Sequence, residues 1–295
     1  MKTLFIINPI AGKGKAKEML PFIEDICKRQ KIEYEIVYTA GPKDGIKLAK
    51  EGVSSGFQRI ISVGGDGTLN EIVNGIAGSE VVLGVIPGGT GNDFIRSIYT
   101  DVAIEKLVEN AIVGTAKKID LAKCNDTYFI NIGSGGFDAQ VALESEKTRK
   151  YFSGSTAYLV ALLKMLVVYK GKKMKVTIDD MEFEKNTFLV AVANGKYYGG
   201  GIMPAPMADM TDGIFDICIV GIMPRLKMFR LLPRYMKGTH AGIKEVDFYR
   251  GKHIKLVAEE PFAVNVDGEV TLLKQAEFDI IPNGIRISVA KESLI

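Results

Sequence analysis

The run Gly64-Gly65-Asp66-Gly67-Thr68 sets a carboxylate among glycines and a hydroxyl, and that grouping suits phosphate chemistry. The glycines let the backbone take positive φ and approach a ligand closely. A helix starting there aims unpaired N–H groups at an anion. Asp66 repels a bare phosphate, so a cation or cation-bound water has to stand between them, and the implied ligand is a magnesium nucleotide. Taken alone, the five residues read equally well as a βα connection with Asp66 as a helix cap. Two further turns break that tie: residues 8–14, Asn8-Pro9-Ile10-Ala11-Gly12-Lys13-Gly14, and residues 87–93, which place Thr90 and Asp93 among glycines.

The elements around these turns place them together. Residues 3–7, 60–63 and 81–86 are buried strands rich in β-branched residues, and each runs into a turn and then a helix. Leu69, Ile72, Val73 and Ile76 mark the helix after the central turn by their i, i+3, i+4, i+7 spacing. Residues 33–38 add a strand and residues 43–53 a helix. Strands alternating with helices predict a doubly wound parallel sheet, with the ligand beyond the carboxyl ends of the strands, where all three turns fall. After a helix near residues 104–112 the pattern changes to strands joined by tight polar turns, including Asn125-Asp126 and Asp179-Asp180. This predicts an α/β unit over residues 1–122 and a β-rich sandwich or barrel over 123–284, with a final strand near 286–289 returning a segment of about 285–295 to the first unit. Helices at 155–169 and 225–237 interrupt the β-rich part. The second mixes Leu226, Phe229, Leu232 and Tyr235 with Arg225, Lys227, Arg230, Arg234 and Lys237, a pattern of a surface helix or of one lying on an anionic membrane, with Pro233 interrupting it.

Composition sets the class. At 47% hydrophobic and 25% charged residues the chain is globular, and a net charge of +3 is too small to argue for nucleic acid. Cys27, Cys124 and Cys218 lack metal-ligand spacing and read as reduced thiols of a cytoplasmic protein. The longest apolar stretch, residues 157–168, carries Lys164 and falls short of the roughly 20 residues of a membrane span.

With these turns in order, the chain resembles the bacterial diacylglycerol kinases, soluble lipid kinases related to sphingosine kinases. Asn8-Pro9 with Gly12, the 64–68 run and Pro87-Gly-Gly-Thr90-Gly-Asn-Asp93-Phe94 carry the likeness, with Asp212-Gly213 and Val266-Asp267-Gly268-Glu269 farther on. The resemblance implies an N-terminal nucleotide domain of the NAD kinase and phosphofructokinase type, a C-terminal β-rich sandwich domain, and transfer of the ATP γ-phosphate to a lipid hydroxyl. Diacylglycerol is the expected acceptor. ATP would be held by Asn8, Pro9, Ile10, Ala11, Gly12, Thr39, the run Gly65, Asp66, Gly67, Thr68, Leu69, Asn70 and Glu71, and Thr90. Lys13 with Asp66, Asp93 and Asp120 would surround the nucleotide Mg2+. A structural Mg2+ would sit on Asp209, Asp212 and the Ile214 carbonyl, and Glu269 would be the general base. Its partner would be lipid at a membrane surface, visited transiently from the cytoplasm, and a homodimer is compatible with this. The rival readings are a NAD kinase or other soluble-substrate kinase, and a nucleotide-binding regulator without transfer.

Overall fold

The computed structural model describes residues 2–100, 102–148, 154–290 and 293. Residues 1, 291, 292, 294 and 295, which the sequence reading assigns to the first unit, lie outside the described residues. The chain opens with β1 (Lys2–Ile7) and a 3-10 turn (Ala11–Gly14), followed by α1 (Lys15–Glu18) and α2 (Leu20–Gln30). Then come β2 (Glu33–Tyr38), α3 (Asp44–Ser54), β3 (Arg59–Gly64), α4 (Asp66–Ile76), β4 (Val82–Pro87), α5 (Asp93–Ile98) and α6 (Ile104–Val113). The four strands are parallel in the order β4-β3-β1-β2. Their side chains alternate between two cores. Leu4, Ile6 and Ile60 pack with Leu69, Ile72 and Val73 on one face, while Phe5, Ile7, Ile61 and Val63 pack with Ile23, Cys27, Val108 and Ile112 on the other. Burial on both faces is why these strands read as continuous apolar runs. The three glycine turns leave the same end of the adjacent strands β1, β3 and β4.

The second half contains β5 (Thr115–Cys124), β6 (Thr127–Phe129), β7 (Ile132–Gly136), α7 (Phe137–Thr148), α8 (Gly154–Val168), β8 (Lys172–Ile178) and β9 (Met181–Ala193). It ends with β10 (Phe215–Gly221), α9 (Arg225–Met236), β11 (Val246–Gly251), β12 (His253–Val266) and β13 (Glu269–Val289). Strand β13 pairs antiparallel with β12 and β5, then near its end lies parallel to β4 through Arg286 and Ile287. The hydrogen-bonded ladder therefore runs unbroken from one half into the other. Ile217 and Ile219 face a core within the β-rich layers, whereas Cys218 and Val220 face a third layer built by α7, α8 and α9.

Several expectations need correcting. Helix α7 has no counterpart in the sequence reading, because Asp138 and Ser145 share its buried side with Phe137 and Val141 and blur the apolar stripe. Strands β6 and β7 stay separate, since the N–H groups of Ile130, Asn131 and Ile132 turn to the Asp267 carboxylate. Strand β12 is continuous but carries a register shift between Val257 and Phe262, where Pro261 has no N–H to give. Pro233 does not end α9, and the Lys237 N–H still reaches the Pro233 carbonyl at 3.2 Å.

Candidate active site

The three glycine turns pack backbone against backbone. A Cβ on Gly12 would lie 2.1 Å from the Gly88 carbonyl oxygen, and one on Gly89 would lie 2.5 Å from the Gly65 Cα, so only glycine permits this approach. The Gly88 N–H donates to the Gly64 carbonyl at 2.7 Å, and Asn8 Nδ2 donates to Thr68 Oγ1 at 3.0 Å. Thr39, at the end of β2, is tied to the end of β1 by its N–H on the Ile7 carbonyl at 3.0 Å. Pro9, Ile10, Ala11 and the exposed Lys13 and Thr90 lie in the outer turns, with Ile10 82% exposed.

Asp66 begins α4 yet caps a different helix: its two oxygens accept the N–H groups of Asn92 and Asp93, each at 2.8 Å, at the start of α5. Asp93 is buried. Its Oδ2 accepts the Gly200 N–H at 2.9 Å, from the second half of the chain, while its Oδ1 has no partner among the described residues. Burial pushes its pKa up, the Gly200 N–H opposes that, and the Asp66 charge adds to it. Asp267, in the β12–β13 hairpin, accepts N–H groups from Ile130 at 2.8 Å, Ile132 at 3.0 Å and Asn131 at 3.2 Å. Burial raises this carboxyl to about 6 despite those three donors, with the Asp66 charge again contributing. Asp66, Asp93 and Asp267 thus form one acidic cluster where the halves meet, and Glu269 stands exposed two residues beyond it at the start of β13.

Other residues of the expected site point elsewhere. Leu69 is in the core at 3% exposure, Asn70 donates to the Tyr128 carbonyl at 3.2 Å, and Glu71 caps α3 by accepting the N–H groups of Lys43 at 2.7 Å and Gly45 at 2.9 Å. Helical geometry turns these side chains off the Gly65–Thr68 face. Asp120 lies with the 209–216 segment instead of with Asp66 and Asp93: it accepts the Gly213 N–H at 2.7 Å and the Asn283 N–H at 2.8 Å. Burial raises its pKa, and the charges of Asp212 and Asp209 add to the rise.

A cation at the glycine turns fits what is present, because the buried Asp93 Oδ1 lacks a partner and a Cβ on Gly14 or Gly67 would meet open space. The 209–214 loop fits less well. Asp209 accepts the Thr211 N–H at 2.9 Å, Asp212 accepts the Ile214 N–H at 3.1 Å and pairs with Arg250, and Arg250 also reaches the buried Asp216 at 3.4 Å. Arg250 supplies positive charge there. Among the described residues no group of three or more His, Cys, Asp and Glu side chains is set to hold a metal ion, in this loop or at the glycine turns, so a cation at the turns would draw further ligands from the nucleotide.

Beside the acidic cluster, α7, α8 and α9 enclose a narrow, mostly apolar slot over β9 and β10, lined by Phe137, Leu162, Leu166, Phe188, Leu231 and Tyr235 among others, with the buried Asp138 carboxyl also on its wall. The sequence reading missed the slot and the Gly200 contact; the run Gly199-Gly200-Gly201 is the signal it left unused.

Comparison with known proteins places this arrangement. The diacylglycerol kinase catalytic domain matches residues 2–124, and the YegS C-terminal NAD kinase beta sandwich-like domain matches residues 131–289. A diacylglycerol kinase of Staphylococcus carnosus (strain TM300) is 31% identical over 97% of this chain and 94% of its own length. One from Bacillus subtilis (strain 168) is 29% identical over 97% of this chain and 96% of its own. A crystal structure of a diacylglycerol kinase from Bacillus anthracis str. Sterne shares the fold, with a TM-score of 0.73 at 23% identity, covering 98% of this chain and 97% of that one. With its mixed α/β first half and β-sandwich second half, the chain belongs to the diacylglycerol kinase family.

Proposed function

We propose that the protein is a lipid kinase that transfers the γ-phosphoryl group of ATP to the hydroxyl of a lipid alcohol, with diacylglycerol the first acceptor and phosphatidic acid the product. The observation that carries this reading is the adjacency of two unlike sites: an acidic cluster on glycine turns, suited to a nucleotide and a cation, and an apolar slot one short hairpin away, suited to an acyl chain. The N–H groups at the start of α4 and the Asn8–Thr68 pair hold phosphate oxygens. Asp66 and Asp93 would hold the cation, and Lys13 would offer a further positive charge at the first turn. Bound Mg2+ supplies charge neutralisation on the phosphate oxygens. Glu269 accepts the proton of the lipid hydroxyl as its oxygen forms the new bond to phosphorus, and the bond to the ADP oxygen breaks. A base in this role contributes about 10²–10⁴-fold.

The outer surface beside the slot matches a lipid-borne acceptor. Leu159, Leu163 and Val167 on α8 and Leu226 and Phe229 on α9 are exposed, Leu226 at 65%, and Arg230 and Arg234 are exposed among them. Apolar residues rimmed by cations suit an anionic membrane surface, and none of the described helices is long and apolar enough to cross one. The test is labelled ATP offered with a panel of acceptors in mixed micelles: diacylglycerol, a sphingoid base, a monoacylglycerol, and NAD in solution. Label in phosphatidic acid supports the reading. Label in NAD alone replaces it with a soluble-substrate kinase.

A further inference from the structure

Residues 198–202 form a small hairpin that touches both sites. Tyr198 and Ile202 exchange backbone hydrogen bonds of 3.0 and 2.9 Å, closing a tip of Gly199, Gly200 and Gly201 whose φ angles are +60°, +87° and +111°. Nothing lies within 4 Å of where a Cβ would stand on Gly200 or Gly201, so backbone conformation and not crowding calls for glycine there. The tip presents the Gly200 N–H to Asp93 Oδ2 at 2.9 Å. The foot does something different: Tyr198 and Ile202 both line the apolar slot, and the Tyr198 hydroxyl shares a 3.2 Å hydrogen bond with that of Tyr235, another lining residue.

We propose that this hairpin couples the two substrate sites, with Gly200 as a positioning residue whose N–H orients Asp93 when an apolar chain fills the slot. The inference rests on the lipid kinase reading for the identity of the two ligands. Its sign follows from the glycines. Three adjacent glycines have the largest backbone freedom to lose, so a chain against Tyr198 and Ile202, or a nucleotide and cation drawn to Asp93, restricts the same hairpin. Whichever ligand arrives first spares the second that ordering, which makes the coupling positive and reciprocal. The buried and unpartnered Asp93 Oδ1 marks the side on which the nucleotide complex would meet the positioned carboxylate.

The experiment is calorimetric titration of the full-length protein with a non-hydrolysable ATP analogue and Mg2+, with and without saturating dioctanoylglycerol. In the wild type the lipid lowers the analogue's Kd by about fivefold or more, the lower end of ordinary coupling, and the analogue lowers the lipid's Kd by the same factor. Gly200→Pro deletes the N–H donor and also forces the tip out of its positive φ, and Gly200→Ala keeps the donor but disfavours that φ; in both, each ligand still binds and the factor falls below about twofold. Should those chains not fold, Ile202→Ala trims the foot while keeping the donor, and the factor falls there too. Amide exchange over residues 196–203 provides a readout without nucleotide, slowing in the wild type when lipid alone is added. No shift in the wild type, or a full shift in Gly200→Pro, overturns the proposal. If no lipid is phosphorylated while filling the slot still shifts the nucleotide Kd, the coupling stands and the kinase reading falls; phosphorylation without a shift does the reverse.

Discussion

Asp267 ties the β12–β13 hairpin to the segment joining β6 and β7 and makes the stability of the fold depend on pH. In the unfolded chain its carboxyl titrates near 3.8, and in the fold burial raises it to about 6. The native state thus holds the proton more tightly than the unfolded state. The group's contribution to stability is complete below about pH 4 and is lost as pH rises through about 6. Two pKa units correspond to about 3 kcal/mol. The residue keeps partial contact with solvent, which reduces the expected loss to about 2 kcal/mol. Asp267→Asn cannot titrate, so its stability supplies the reference at each pH. The assay is urea unfolding of both proteins between pH 4 and 7.5, followed by far-UV circular dichroism because the chain has no tryptophan. The wild-type value minus the variant's should fall by about 2 kcal/mol across that range. A difference that stays level, or rises with pH, refutes the reasoning, because it would mean that the N–H groups of Ile130, Asn131 and Ile132 outweigh burial and favour the ionised form.

Three further outcomes follow from the same geometry. Glu269→Gln keeps size but takes no proton, so lipid phosphorylation should fall by about 10²–10⁴-fold with nucleotide affinity unchanged; turnover within a few-fold of wild type would return Glu269 to a turn residue. Arg250→Leu leaves the buried Asp216, whose pKa burial already raises and Arg250 lowers, without that charge; stability at pH 7 should drop by about 1–2 kcal/mol in chemical denaturation, and an unchanged midpoint would show that Arg250 is not what compensates Asp216. Leu226→Ser combined with Phe229→Ser removes exposed apolar area from α9, so co-sedimentation with anionic vesicles should weaken about tenfold while thermal stability stays put, and equal binding would place the membrane face elsewhere.

What could be read from the sequence was local. Ile60, Ile61 and Val63 announce a strand, the glycines after them a turn, and Leu69 through Ile76 a helix, because each signal lies within one element. The same spacing was not enough to aim Asp66, whose partners Asn92 and Asp93 belong to another turn. Glu71 is assigned to the nucleotide turn by resemblance, yet its partners are at the start of α3. Asp120 was grouped with Asp66 and Asp93 by resemblance, and the fold sets it on Gly213 and Asn283, far along the chain. Helix α7 was lost because a buried acid and a serine replace apolar residues on its inner face. The contact between Gly200 and Asp93 joins residues 107 apart in sequence, a pairing no periodicity encodes.

The central claim is phosphoryl transfer from ATP to a lipid hydroxyl at the Asp66 cluster. Its most direct measurement is transfer of label from γ-labelled ATP to dioctanoylglycerol by the purified protein with Mg2+, run beside Asp66→Asn, with the product identified by mass. The account predicts labelled phosphatidic acid from the wild type and a loss of about two orders of magnitude or more in the variant. Absence of any labelled lipid product from the folded wild type, or equal rates in the two proteins, would contradict it.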